Sequence, residues 1–73
     1  MANIGGGLKT RELKSRLVYS GTNHYDLDGL YVIIKVKDSW RWHRVENASI
    51  GGEWRRRLRD ALDDLADYLK EHP

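Results

Sequence analysis

The sequence predicts an α+β domain: a short N-terminal helix, a three-stranded antiparallel sheet, and a C-terminal helix packed on one sheet face (α-β-β-β-α). Three observations predict it. The run "LYVIIKVK" from Leu30 to Lys37 is alternating and rich in β-branched residues, the pattern of a half-buried strand. Asp28-Gly29 stands between Leu27 and Leu30, a dipeptide suited to the tight turn of a hairpin. Further on, Trp54, Leu58, Ala61, Leu62, Leu65, Tyr68 and Leu69 recur at helical spacing, so one apolar stripe can cover one side of the sheet.

In chain order, residues 1–7, "MANIGGG", are glycine-rich and without period, which predicts a flexible tail before a single domain over 8–73. Thr10 can cap a helix "RELKSRLVYS", with Leu13, Leu17 and Val18 as its apolar stripe and Ser20-Gly21 as its end. A two-residue turn at Asp28-Gly29 pairs Leu27 with Leu30, Tyr25 with Val32 and Asn23 with Ile34. A three-residue turn at Lys37-Asp38-Ser39 then sets Val36 against Trp40 and Ile34 against Trp42. This register gathers Leu30, Val32, Ile34, Val36, Trp40 and Trp42 on one face, where a slip of one residue would scatter them. The opposite face then carries His24, Asp26, Tyr31, Ile33, Lys35, Lys37, Arg41, His43 and Val45, a basic surface with a tyrosine set into it. "ENASIGG" reads as a loop, and the last helix as running from Gly52 to Glu71, with Pro73 beyond it.

Seventy-three residues make one small domain with a marginal core. Cysteine is absent, which removes disulfides and thiolate metal sites and fits a reducing compartment. No stretch is apolar enough to span a membrane, and the N-terminus lacks the apolar core of a signal peptide. A cytoplasmic location is therefore expected. The net charge of +2 is uneven: residues 1–59 hold twelve Lys/Arg against six Asp/Glu, and residues 60–73 hold one Lys against five acids. Such a dipolar molecule can set a basic face on a polyanion.

Little in the sequence points to catalysis. His24, His43 and His72 have no ligand spacing, so no metal or other cofactor is expected. Ser20, Ser39 and Ser49 sit where turns and caps use them. His24 and Asp26 share one strand face and could form an acid–base pair, but an exposed polar strand face explains them as well.

The motif that asks for an explanation is "GGEWRRRLRDALDDL". If the helix begins at Gly52, Arg55, Arg56, Arg57 and Arg59 crowd its N-terminal end, where the dipole disfavours cations by ~0.3–1 kcal/mol each. Arg56 and Arg59 meet acids at i+4 and Arg57 meets Asp60 at i+3, whereas Arg55 meets none at either spacing. On this reading Arg55→Glu holds or raises stability, and the arginines are there to bind an anion. The Gly51-Gly52 pair before the helix offers free N–H groups for the same purpose.

The segment "YDLDGLYVIIKVKDSWRWHRV" resembles the arm-type N-terminal DNA-binding domain of phage-like tyrosine recombinases. Tyr25, Leu27, Asp28, Gly29, Leu30, Tyr31 and Val32 match the family's hairpin pattern, and Trp40, Arg41 and Arg44 match its following strand. The resemblance implies a three-stranded sheet on a C-terminal helix, bound to DNA through the sheet. A second resemblance, of "SGTNHY" to the HicA-type toxins, implies a ribonuclease with His24 as its catalytic histidine.

The expected function is thus a small, free-standing, non-enzymatic accessory protein of phage or mobile-element type that binds nucleic acid, double-stranded DNA ahead of RNA. Its expected contacts are Tyr31, Lys35, Lys37, Arg41, His43, Arg44, Arg55, Arg56 and Arg59, mostly to phosphates. The alternative is a phage inhibitor of a host protein, of the anti-CRISPR kind. Arg, Trp and Tyr are frequent at interface hot spots, and the acid-rich last helix suits a basic partner.

Overall fold

The computed structural model describes residues 6–72, with an α+β fold of two helices and four strands. Most of the expected tail lies outside the described residues, and Gly6 and Gly7 already belong to α1 (Gly6–Arg16). This helix runs without a loop into β1 (Leu17–Gly21). There follow β2 (His24–Leu27), β3 (Tyr31–Val36), β4 (Ser39–Arg44) and α2 (Leu58–Glu71). The sheet is an antiparallel meander in the order β1-β2-β3-β4.

The fourth strand is β1, a correction to the predicted architecture. Leu17, Val18 and Tyr19 continue the apolar spacing of α1, but Val and Tyr favour strands. Pairing decides between the two states: Leu17 stands opposite Leu27 and Tyr19 opposite Tyr25, with the two tyrosine rings edge to face at 5.8 Å. Tertiary contact of this kind overrides weak local propensity.

The β2–β3 connection has the expected turn and a different register. Asp28 and Gly29 both have positive φ (58° and 72°), and the Leu30 N–H donates to the Leu27 carbonyl at 3.0 Å. Leu30 is then an extra residue. Its carbonyl accepts from Val45 at 3.0 Å, and Tyr31, not Leu30, pairs with Leu27. One inserted residue inverts the faces of everything after it. The β3–β4 turn is also shorter than expected. Val36 pairs with Ser39 across Lys37-Asp38, with Lys37 at φ 56°. The two changes compensate, so the faces of β2 and β4 are as expected and β3 alone is turned over. Ile33 is fully buried against Leu27 and Trp42, while Leu30, Val32, Ile34 and Val36 point to the other side.

The last helix starts six residues later than expected. Ile50–Arg55 lies along the outer edge of β4 as an irregular fifth segment. Arg44 donates to Ile50 at 2.9 Å, Gly52 donates to Trp42 at 3.0 Å, and Trp40 and Arg55 exchange both backbone bonds. Those ladder bonds occupy the groups a helix would need. Glycine at 51 permits the close approach, since a Cβ there would run into the Trp42 carbonyl and the Arg41 guanidinium. Arg57 is extended (φ −120°, ψ 145°) and caps α2 without a side-chain bond. Trp54 therefore sits outside the helix and is half exposed, not part of its stripe.

α2 covers one sheet face, and α1 packs on α2 and reaches the same core through Leu13. Leu13 of α1 joins Leu27, Ile33 and Trp42 of the sheet and Ala61, Leu62, Leu65 and Ala66 of α2 in one core. Leu27, Ile33, Leu62 and Leu65 are fully buried, each contributing ~1.5–3 kcal/mol. The Thr10 hydroxyl donates to Asp63 and ties the helices together. The second sheet face carries no helix among the described residues. Among these residues, no helix is long and apolar enough to cross a membrane.

Candidate nucleic-acid interface

The inversion of β3 divides the predicted set of binding residues. Tyr31, Lys35 and Arg44 lie on the helix-covered side, and Arg41 and His43 on the open side. The expected basic sheet face is thus not formed. On the open side stand Val18, Leu30, Val36, Val45 and Trp54, each about half exposed or more, among His24, Asp26, Arg41 and His43.

Several of the predicted residues have structural partners. Tyr31 packs edge to face on Trp42 at 5.9 Å and on Tyr68 at 6.4 Å, as part of the core boundary. Arg41 donates from Nε to the Gly52 carbonyl at 2.7 Å and lies over the Trp54 ring at 6.0 Å, pinning the edge segment. The Nδ1 of His43 is 2.9 Å from the Arg44 carbonyl. Arg44 pairs through Nη2 with Glu46 while its buried Nε has no hydrogen-bond partner among the described residues, and the nearby Tyr68 hydroxyl and Glu46 raise its pKa, Tyr68 being the larger cause. Arg55 meets Asp64 through Nε at 3.0 Å and Nη2 at 3.3 Å. The extended backbone of residues 52–57 runs beside α2, so an acid nine residues away is in reach although none stands at i+4. Burial raises the Asp64 pKa, and Arg55 opposes that rise.

Lys35, Lys37, Arg56 and Arg59 remain, and the fold adds Arg57. Lys35 sits near the end of β3, with its ammonium 5.7 Å from the centre of the Trp40 ring. Lys37 is in the following turn. Trp40 pairs with Arg55, so Arg56 and Arg57 continue past the edge of β4 towards that same turn. Arg59 lies in the first turn of α2, immediately beyond. Arg57 and Arg59 also line a groove of mixed charge between α1 and the start of α2, together with Arg11 and Lys14 and with Asp60, Asp63 and Asp67. Among the described residues none of Lys35, Lys37, Arg56, Arg57 and Arg59 enters an ion pair. Asp38 and Asp60 are the acids interspersed with them in sequence.

The arginines thus precede α2 more than they open it, and the dipole opposes only Arg59 within the helix. A helical reading misses Arg57 because it pairs that residue with Asp60 at i+3. Two consecutive glycines before it, poor in any helix, are the signal in the sequence that the segment is extended.

His24 half-buries on the open face opposite Ile34, with Asp26 two residues on. It makes no side-chain hydrogen bond among the described residues. No group of three or more His, Cys, Asp or Glu able to hold a metal ion is found there either. In comparisons with protein-family models, curated proteins and solved structures, nothing matches this chain.

Proposed function

We propose that this domain binds nucleic acid, double-stranded DNA in the first place, through phosphate contacts at one end of its sheet. One observation carries the reading. Lys35, Lys37, Arg56, Arg57 and Arg59 come from three separate segments to one end of the molecule and remain without ion pairs among the described residues. Unpaired cations gathered this way release counterions when they meet a phosphate backbone, and this supplies affinity without base readout. A role as a small accessory protein of a phage or mobile element rests on the resemblance to recombinase arm domains. The proposed contact differs from that family's mode, since it uses the sheet end and not the sheet face.

The test is fluorescence anisotropy of a labelled duplex titrated with the full chain at several salt concentrations. Lys37→Gln/Arg56→Gln/Arg57→Gln weakens binding, and the slope of log affinity against log salt flattens by about 0.9 for each phosphate no longer neutralised. Lys70→Gln, near the far end of α2, leaves both unchanged. Absence of salt-dependent binding by the unaltered chain at low salt overturns the reading.

A second reading, an inhibitor that plugs a host protein surface, is favoured by the open sheet face. Val18, Leu30, Val36, Val45 and Trp54 are exposed there, among His24, Asp26, Arg41 and His43. Apolar surface of this kind is commoner at protein interfaces than at nucleic-acid ones.

A further inference from the structure

We infer that the basic end of the sheet takes a single-stranded extension of the bound nucleic acid, whose unpaired bases stack on Tyr19, Tyr25 and Trp40. This site rests on the nucleic-acid reading above and supplies what phosphate contacts do not, a place for bases. The three side chains stand on the helix side of the sheet. Tyr19 is opposite Tyr25 across β1 and β2, and Trp40 is opposite Lys35 across β4 and β3. Their rings form one strip: Tyr19 meets Tyr25 edge to face at 5.8 Å, and Tyr25 meets Trp40 at 6.0 Å with the planes 36° apart.

Two properties separate this strip from the core. The first is its exposure. α2 packs on β4 and β3, so the strip runs out from the helix layer towards β1, the edge strand of the sheet. Tyr25 and Trp40 are partly buried against the core, and Tyr19 is 64 % exposed. A tyrosine left in water at the end of a row of rings adds little to folding and offers its ring to a ligand. The second property is charge. The Lys35 ammonium lies 5.7 Å from the centre of the Trp40 ring, and Lys35 is one of the five cations without an ion pair among the described residues. The aromatic strip and the basic end therefore meet at Trp40 and Lys35.

Together the rings and the cations select one kind of occupant. A proline-rich peptide gains from aromatic rings alone, whereas the cations beside these rings call for a polyanion. A single strand carries both a phosphate backbone for the cations and flat bases for the rings. A duplex keeps its bases stacked inside, so it uses the cations and leaves the strip empty. The best ligand is thus a duplex that continues as a single strand, taken without regard to sequence because every base has a π-face.

The experiment is fluorescence anisotropy of the full chain, at low salt, with three labelled duplexes. One is blunt, one carries a short oligothymidine overhang, and one carries an overhang of equally many abasic sugar-phosphates. The two overhangs have the same charge, so phosphate contacts alone bind them equally. The thymidine overhang binds more tightly than the abasic one by about tenfold or more, as expected of bases stacked on aromatic side chains. It also quenches the Trp40 emission of the Trp54→Phe chain, in which the other tryptophan, Trp42, is buried. Tyr19→Ala, a change at an exposed position that the fold tolerates, reduces the difference between the overhangs severalfold, and Tyr19→Phe retains it. Equal binding of the two overhangs, an unmoved Trp40 emission, or a difference that Tyr19→Ala leaves intact overturns the stacking site. Salt-dependent binding of the blunt duplex in that case leaves the phosphate reading standing, whereas failure to bind any of the three duplexes overturns both.

Discussion

Arg55→Glu distinguishes a helical arginine from a bridging one. If Arg55 opened the helix, the new carboxylate would gain from the dipole and stability would hold or rise. In the structure Arg55 lies outside α2 and meets Asp64 through two nitrogens at 3.0 and 3.3 Å. The side chains are 46 % and 24 % exposed, so solvent screens the pair and its loss costs about 0.5–1 kcal/mol. The new glutamate also faces Asp64, with Glu53 and Asp67 nearby, and screened repulsion adds a similar amount, roughly 1 kcal/mol at 4 Å in water. The sum, about 1.5–2 kcal/mol, lowers the thermal midpoint of a domain this size by about 6–16 °C. The assay is a circular-dichroism melt at neutral pH and again in acid. Burial raises the Asp64 pKa, so the folded chain keeps that proton to higher pH than the unfolded chain. The stabilisation this supplies is full below the ordinary aspartate pKa and is lost as pH rises through the raised one. Removing Arg55, which opposes the rise, widens that window, so the variant's deficit is larger at neutral pH than in acid. A variant that melts at or above the unaltered protein at neutral pH refutes the reasoning.

The remaining predictions test the core, the open face and the absence of catalysis. Ile33→Ala costs about 2–5 kcal/mol as a fully buried isoleucine, whereas Ile34→Ala, on the open face, costs about 1 kcal/mol or less; urea midpoints that come out in the reverse order restore the register read from the sequence. Leu62→Ala costs a similar 2–5 kcal/mol and Trp42→Ala about 3–5 kcal/mol, so either variant melts far lower or fails to fold, and an unchanged midpoint for either removes it from the core. The purified chain leaves RNA and DNA intact with or without divalent metal, read on a denaturing gel; cleavage that disappears in His24→Ala establishes the ribonuclease alternative instead.

Local chemistry determined the parts of this fold that depend on neighbours in sequence. Asp28-Gly29 makes a turn because both positions take positive φ, and the stripe from Leu58 to Leu69 makes a helix because its apolar residues recur on one side. Those signals require no partner. Tertiary structure decided whatever depends on which backbone groups find a mate. Leu17–Gly21 is a strand because β2 lies beside it. Residues 52–57 are extended because the outer edge of β4 takes their hydrogen bonds before α2 can. Leu30 is one extra residue because its carbonyl accepts from Val45, and that insertion turns β3 over. Alternation in "LYVIIKV" cannot report this, since Leu30, Val32, Ile34 and Val36 form the more apolar side and yet face away from the helices. The same inversion dispersed the predicted basic face. Long-range pairing then brought Lys35, Lys37, Arg56, Arg57 and Arg59 to one end of the sheet, a grouping that sequence distance hides because it arises only when β4 lies between them.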